Sequence, residues 1–130
     1  MGTGAAEQEV RAVLEQMRVA LKTGDTEALG SLLLDSPDAV HIGTDAREWW
    51  TTQDLVKAVT GHSDITTSVD HMGVHVLGDV AWAEARGHFT SPKGAECPVR
   101  VTSVLVRESG QWKVAQEHAS IGVPNEEMFA

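Results

Sequence analysis

Met72-Gly-Val-His-Val-Leu-Gly-Asp-Val-Ala-Trp-Ala-Glu-Ala-Arg86 is the stretch on which the fold turns. Two runs of alternating side chains flank Gly78-Asp79, a dipeptide suited to a two-residue hairpin loop. With that loop Leu77 pairs with Val80, and the register sets His75 opposite Trp82, Gly73 opposite Glu84, His71 opposite Arg86 and Val69 opposite His88. These residues share one face, polar with a tryptophan, because side chains alternate along a strand. Met72, Val74, Val76, Ala81, Ala83, Ala85 and Phe89 make the other face, which is uniformly apolar.

A second hairpin follows. Val99-Arg-Val-Thr-Ser-Val-Leu-Val106 and Trp112-Lys-Val-Ala115 flank Glu108-Ser-Gly110, which predicts a three-residue loop with a bulge at glycine. That register pairs Leu105 with Lys113, Ser103 with Ala115, Val101 with Glu117 and Val99 with Ala119. Trp112, Val114, Gln116, His118 and Ser120 then lie on the opposite face. One bulge would exchange the faces beyond it and put His118 where Glu117 would otherwise be.

Upstream, Val10, Val13, Leu14, Met17 and Leu21 recur at helical spacing and predict a first helix ending at Gly24. Asp25 is placed to cap a short second helix, stopped by Asp35-Ser-Pro-Asp38. Ala39-Val-His-Ile-Gly43 and Glu48-Trp-Trp50 read as short strands around a polar turn. Thr51 and Asp54 open a third helix with Leu55, Val56 and Val59 facing inward.

Residues 1–130 fit a single domain, and 42% apolar residues suffice for a core. Nineteen acidic against ten basic residues, a net charge of −9, disfavour nucleic acid and anionic membranes, since both are held through clustered cations. No apolar run approaches the roughly 20 residues of a membrane helix, and the start lacks the pattern of a secretory signal. The single cysteine, Cys97, leaves no internal disulfide and is expected to be inert. These features predict a cytoplasmic protein.

Three helices, a short hairpin around the third, and then long antiparallel strands resemble the nuclear transport factor 2-like superfamily. Gly43-Thr-Asp-Ala-Arg-Glu-Trp-Trp50 is similar to a segment of SnoaL-like domains, and Gly110-Gln-Trp-Lys-Val-Ala-Gln-Glu-His-Ala-Ser120 to the closing strand of several branches. The resemblance implies an α+β fold in which three N-terminal helices pack in a strongly curved antiparallel sheet, a cone-shaped half-barrel around one pocket. It also implies that Ala115, Glu117, Ala119, Arg86 and Ser103 point inward. With the register above, Trp82, Glu84, His71 and His88 then share the interior, while His118 and Ser120 face outward.

On that basis His71, Arg86 and Glu117 are the candidate catalytic residues, with Trp82, Glu84, His88 and Ser103 as ligand-binding residues. An arginine between two carboxylates would hold an anionic or carbonyl ligand, but the same trio also makes an ordinary ion-pair network. His71 is a candidate base. The sequence has no tyrosine to donate to an oxyanion as in ketosteroid-isomerase-like sites. His71 and His75 would lie roughly 13 Å apart on a strand, too far to share a metal ion, and neither metal nor cofactor is expected. His41 is expected at the surface and Trp112 in the core or an interface, while one of Trp49 and Trp50 lines the pocket mouth as the other packs on helices. Two functions fit: a pocket that binds or acts on a small organic molecule, by cofactor-independent acid–base chemistry if it is catalytic, or a non-catalytic dimerisation or interaction module. Both imply a homodimer, formed through an outer sheet face carrying Met72, Val74, Ala83, Val104 and Val114.

Overall fold

The computed structural model describes residues 2–130, and the side chains from residue 4 onward. Helix α1 spans Gly2–Thr23 and α2 Thr26–Leu32; β1 (Val40–Ile42) and β2 (Trp49–Trp50) precede α3 (Thr52–Ala58). Four long strands follow: β3 (Thr66–Leu77), β4 (Val80–Thr90), β5 (Glu96–Glu108) and β6 (Gln111–Ser120). They form an open six-stranded sheet in the order β2-β1-β6-β5-β4-β3. This is the expected α+β architecture, with one difference: β1 pairs with β6 in parallel while the other four strand pairings are antiparallel, and Leu33 adds an isolated parallel bridge to Val114.

The helices begin and end where their sequences dictate. Asp25 caps α2 by accepting from the Ala28 N–H at 3.1 Å, and Thr51 caps α3 by accepting from the Asp54 N–H at 3.1 Å. Gly24, at φ +75°, turns the chain out of α1 and passes so close to Gly61 that a Cβ would sit 2.2 Å from the Gly61 carbonyl oxygen. Val10, Leu14 and Met17 bury the apolar stripe of α1 against Ala81, Ala83, Leu105, Trp112 and Val114 of the sheet and Leu29, Leu32 and Leu33 from α2 and its C-cap.

Both hairpins carry a one-residue irregularity that decides which side chains face that core. In β3–β4 the expected register holds from Leu77↔Val80 to His71↔Arg86. The register then shifts at Asp70, so that Val69 meets Gly87 and Ser68, instead of Val69, meets His88. The bulge turns Val69 and Thr67 inward and brings the Ser68 carbonyl oxygen within 1.9 Å of where a Cβ on residue 87 would lie, which only glycine accommodates.

In β5–β6 the loop holds two residues, not three: Ser109 and Gly110 take positive φ of 52° and 78°, and Glu108 meets Gln111. That pair of left-handed residues is the type I′ geometry that suits strand twist. The tighter turn shifts the register and sends Trp112 and Val114 into the core. A bulge at Ala115 shifts it again, so Ser103 meets Glu117 and Val101 meets Ala119.

The inward assignment is therefore corrected on β3 and β4. The face with Ala81, Ala83 and Ala85 packs under the helices, because the apolar stripe of α1 requires an apolar surface and small side chains let the helix approach. His71, Trp82, Glu84, Arg86 and His88 lie on the outer face instead. Met72, Val74, Ala83 and Val114, expected on that outer face, line the interior; of that set Val104 alone is outside.

Candidate functional site

Between α1, α3, the β1–β2 hairpin and the inner face of β3–β6 lies an open cavity of about 780 Å³. Leu14, Met17 and Leu21 from α1, Leu55 from α3, Trp50, Phe89 and Val101 give it a mainly apolar wall. A volume in this range suits a small organic molecule. Of the residues singled out from the sequence, the structure brings two together here: the Ser103 hydroxyl donates to Glu117 Oε2 at 3.0 Å, and both line the cavity.

Glu117 has no salt-bridge partner among the described residues. Its half-buried carboxyl lines the cavity, and burial pushes its pKa up from 4.5 to about 7, against the opposing pull of the Ser103 hydrogen bond. Near neutral pH it is thus present in both protonation states, as a group that gives and takes a proton requires.

His41, expected at the surface, is 3% exposed and lines the same cavity. β1 slots between β2 and β6, so His41 and Glu117 are register partners on adjacent parallel strands. The imidazole Nε2 lies 3.1 Å from Thr52 Oγ1, and the Thr52 hydroxyl donates to the Leu34 carbonyl oxygen at 2.8 Å. Thr52 has one proton and has given it away, so it accepts from His41, and Nε2 carries the hydrogen. Burial lowers the His41 pKa, because desolvation disfavours the charged ring. Nothing local in Val40-His-Ile42 signals this; the burial arises from pairing with a strand far along the chain, His41 against Glu117.

Arg11, Arg18 and Lys22 also border the cavity, along one side of α1. Their charged ends reach backbone carbonyls of β3 and the segment before it: Arg11 donates to Met72 O at 3.2 Å, Arg18 to Thr67 O at 3.3 Å and Lys22 to Ser63 O at 2.7 Å. β3 is an edge strand, and these bonds occupy carbonyls that a neighbouring strand would otherwise seek.

The remaining candidates sit outside. Glu84, Arg86 and Glu117 do not form a trio, since the sheet separates Glu117 from the other two. Glu84 lies across Gly73 to bond His75 Nε2 at 3.0 Å, and His75 stacks on Trp82 with ring centroids 5.4 Å apart. Asp70, displaced by the bulge, meets His88 Nδ1 at 2.7 Å. His71 and Arg86 face each other across the outer strands. Trp50 lines the cavity, whereas Trp49 is 70% exposed and does not pack on helices. Among the described residues no group of three or more His, Cys, Asp or Glu could hold a metal ion, and no helix is long and apolar enough to cross a membrane.

Comparison with known proteins places this architecture. The family profile described as SnoaL-like domain matches residues 10–124. Among solved structures, a nuclear transport factor 2-like superfamily protein from Salmonella enterica superposes with a TM-score of 0.82 at 19% identity, over 98% of this chain and 99% of that one. An NTF2-like protein of unknown function from Pseudomonas putida gives 0.79 at 23% identity, over 98% and 94%. A candidate dehydratase of the NTF2-like family from Streptomyces avermitilis gives 0.79 at 20%, over 94% and 99%. At these identities the likeness is one of fold. No curated protein matches the chain significantly.

Proposed function

The chain belongs to the SnoaL-like domain family, and from that premise we propose that its cavity binds a small, mainly apolar organic molecule and moves a proton on it through Glu117. The observation that carries this reading is the Glu117 carboxyl, set in an apolar wall with one hydroxyl donor and a pKa of about 7. Proton transfer of this kind serves elimination, isomerisation, cyclisation and hydration, and it needs no cofactor. The candidate dehydratase among the structural neighbours works on the same scaffold, which agrees with an elimination or its reverse.

The reaction common to these classes is exchange of an acidic carbon-bound proton, so 2-tetralone in deuterated buffer is the test substrate. The protein is expected to accelerate loss of its α-proton NMR signal, and Glu117→Gln to slow that exchange at least about 100-fold, as general acid–base groups contribute. Exchange no faster than in buffer, or equal in the two proteins, refutes the assignment.

A second reading is favoured by the outer face, where Val80 and Trp82 are each 42% exposed and Val104, the register partner of Trp82, lies beside them. Two copies pairing there would cover this apolar patch. Val104→Glu is then expected to give monomers in analytical ultracentrifugation; an unchanged sedimentation coefficient would remove the face from consideration.

A further inference from the structure

The β1–β2 hairpin brings a second carboxyl to the cavity. The Gly43 N–H donates to the Glu48 carbonyl oxygen at 3.0 Å and continues the ladder beyond Ile42↔Trp49, so Glu48 stands opposite Gly43. Cross-strand partners and alternate residues share a face. Glu48, Gly43, Trp50 and His41 therefore lie on one face, and all four line the cavity. Gly43 makes room for the carboxyl: a Cβ at that position would fall 2.5 Å from Glu48 Oε1 and 2.8 Å from its Cδ. Oε1 accepts from the Asp45 N–H at 3.0 Å, which fixes the group over Gly43. Among the described residues Oε2 has no hydrogen-bond partner and Glu48 no ion pair, since the adjacent Arg47 is bound to both carboxylate oxygens of Asp45.

We propose that Glu48 is a second proton-transfer group of this site, the base that takes a proton from carbon while Glu117 gives its own to the oxygen of the adjoining carbonyl. The proposal rests on the proton-transfer reading of the cavity and names its substrate class, an apolar ketone or aldehyde with an acidic α-hydrogen. The spacing fits such a molecule. His41 pairs with Glu117, and Gly43 lies two residues on. One strand spacing of about 4.8 Å and two rises of about 3.3 Å put Gly43, and the carboxyl over it, about 8 Å from the Glu117 position in the sheet. An H–C–C=O unit held by an oxygen at each end spans about 7 Å. Burial favours the proton-bearing form of Glu117, which makes it the acid and Glu48 the base. In the forward step the C–H bond breaks, its proton passes to Glu48 Oε2, and its electron pair forms the C=C bond of the enol. The C=O π pair takes the Glu117 proton and leaves that carboxyl ionised. The reverse step restores both groups, and delivers deuterium to carbon once Glu48 has exchanged with deuterated water.

The test follows α-proton exchange of 2-tetralone in deuterated buffer. Glu48→Gln, whose side-chain oxygen still accepts from the Asp45 N–H, is expected to slow exchange about 100-fold while the dissociation constant of 2-tetralone stays within about twofold. A double variant with Gln at both 48 and 117 is expected to be little slower than the slower single variant, because the two groups serve one step. Losses that multiply instead assign them to separate steps and overturn the pairing. Formate added to Glu48→Ala supplies a carboxylate in place of the missing one and is expected to raise the rate at least about tenfold. A rate indifferent to formate, or Glu48→Gln exchange equal to that of the wild type, overturns the role of Glu48 and leaves the Glu117 reading standing. Wild-type exchange no faster than in buffer overturns the two together. A slowed Glu48→Gln with a matching loss of affinity for 2-tetralone makes the carboxyl a binding contact alone and overturns the proposal.

Discussion

Replacing Glu117 by glutamine should make the protein more stable at alkaline pH, with a size that follows from the site. Burial raises the carboxyl from 4.5 to about 7, and at 1.36 kcal/mol per unit that rise corresponds to about 3 kcal/mol. The direction follows from proton counting. Below pH 4.5 folded and unfolded chains both hold the proton, and burial of the neutral acid carries no charge penalty. Between 4.5 and about 7 the unfolded chain releases its proton while the folded chain keeps it, so stability falls as pH rises. Above that window the folded chain is ionised as well and bears the whole penalty. Glutamine has no proton to lose, and its carbonyl oxygen still accepts from the Ser103 hydroxyl. Urea unfolding of both proteins should therefore show the stability difference rising in favour of Glu117→Gln by about 3 kcal/mol between about pH 4 and about pH 8.5. In thermal unfolding the alkaline difference is on the order of 10 °C for a chain of this length. A difference that stays flat within about 0.5 kcal/mol across the range would show that the carboxyl is well solvated in the folded state. The proton-carrying role assigned to it would then have no basis.

Ser103→Ala removes the one donor that favours the ionised carboxylate, so the Glu117 titration followed by carboxyl carbon NMR should move further upward; an unmoved or lowered midpoint contradicts the bond. Gly87→Ala drives a Cβ into the Ser68 carbonyl and should cost about 1–3 kcal/mol by urea unfolding. Gly30→Ala, in α2 with nothing within 4 Å of the added methyl, should instead be neutral or stabilise by up to about 1 kcal/mol. A mild effect at residue 87 would mean that β3 yields easily at its bulge. Thr52→Val takes the partner from His41 Nε2 and one of two donors from the Leu34 carbonyl, which keeps the Ser36 N–H, and should destabilise the protein by about 1–3 kcal/mol; wild-type stability would show that this buried chain of bonds is replaced by water.

Much of this molecule is legible in short stretches of its sequence. Gly78-Asp79 dictates a two-residue turn and through it the register of seven consecutive pairs down to His71↔Arg86. The stripe Val10, Leu14 and Met17, the caps at Asp25 and Thr51, and the exit at Gly24 follow from interactions within a few residues of one another, so local chemistry suffices to place them. What only the tertiary structure decided is which way the strands face. A strand has two faces and a period of two, so one extra residue reverses every side chain beyond it. The bulges at Asp70 and Ala115, and a β5–β6 turn one residue shorter than expected, are of that kind. They carry Glu117 inward beside Ser103, while the packing of α1 leaves Arg86 and His71 outside. The burial of His41 depends on β1 finding the edge of β6, a pairing between distant parts of the chain that no property of Val40-His-Ile42 encodes. Local sequence chose the elements, and the demand that α1 bury its apolar stripe chose the face of the sheet that became the cavity.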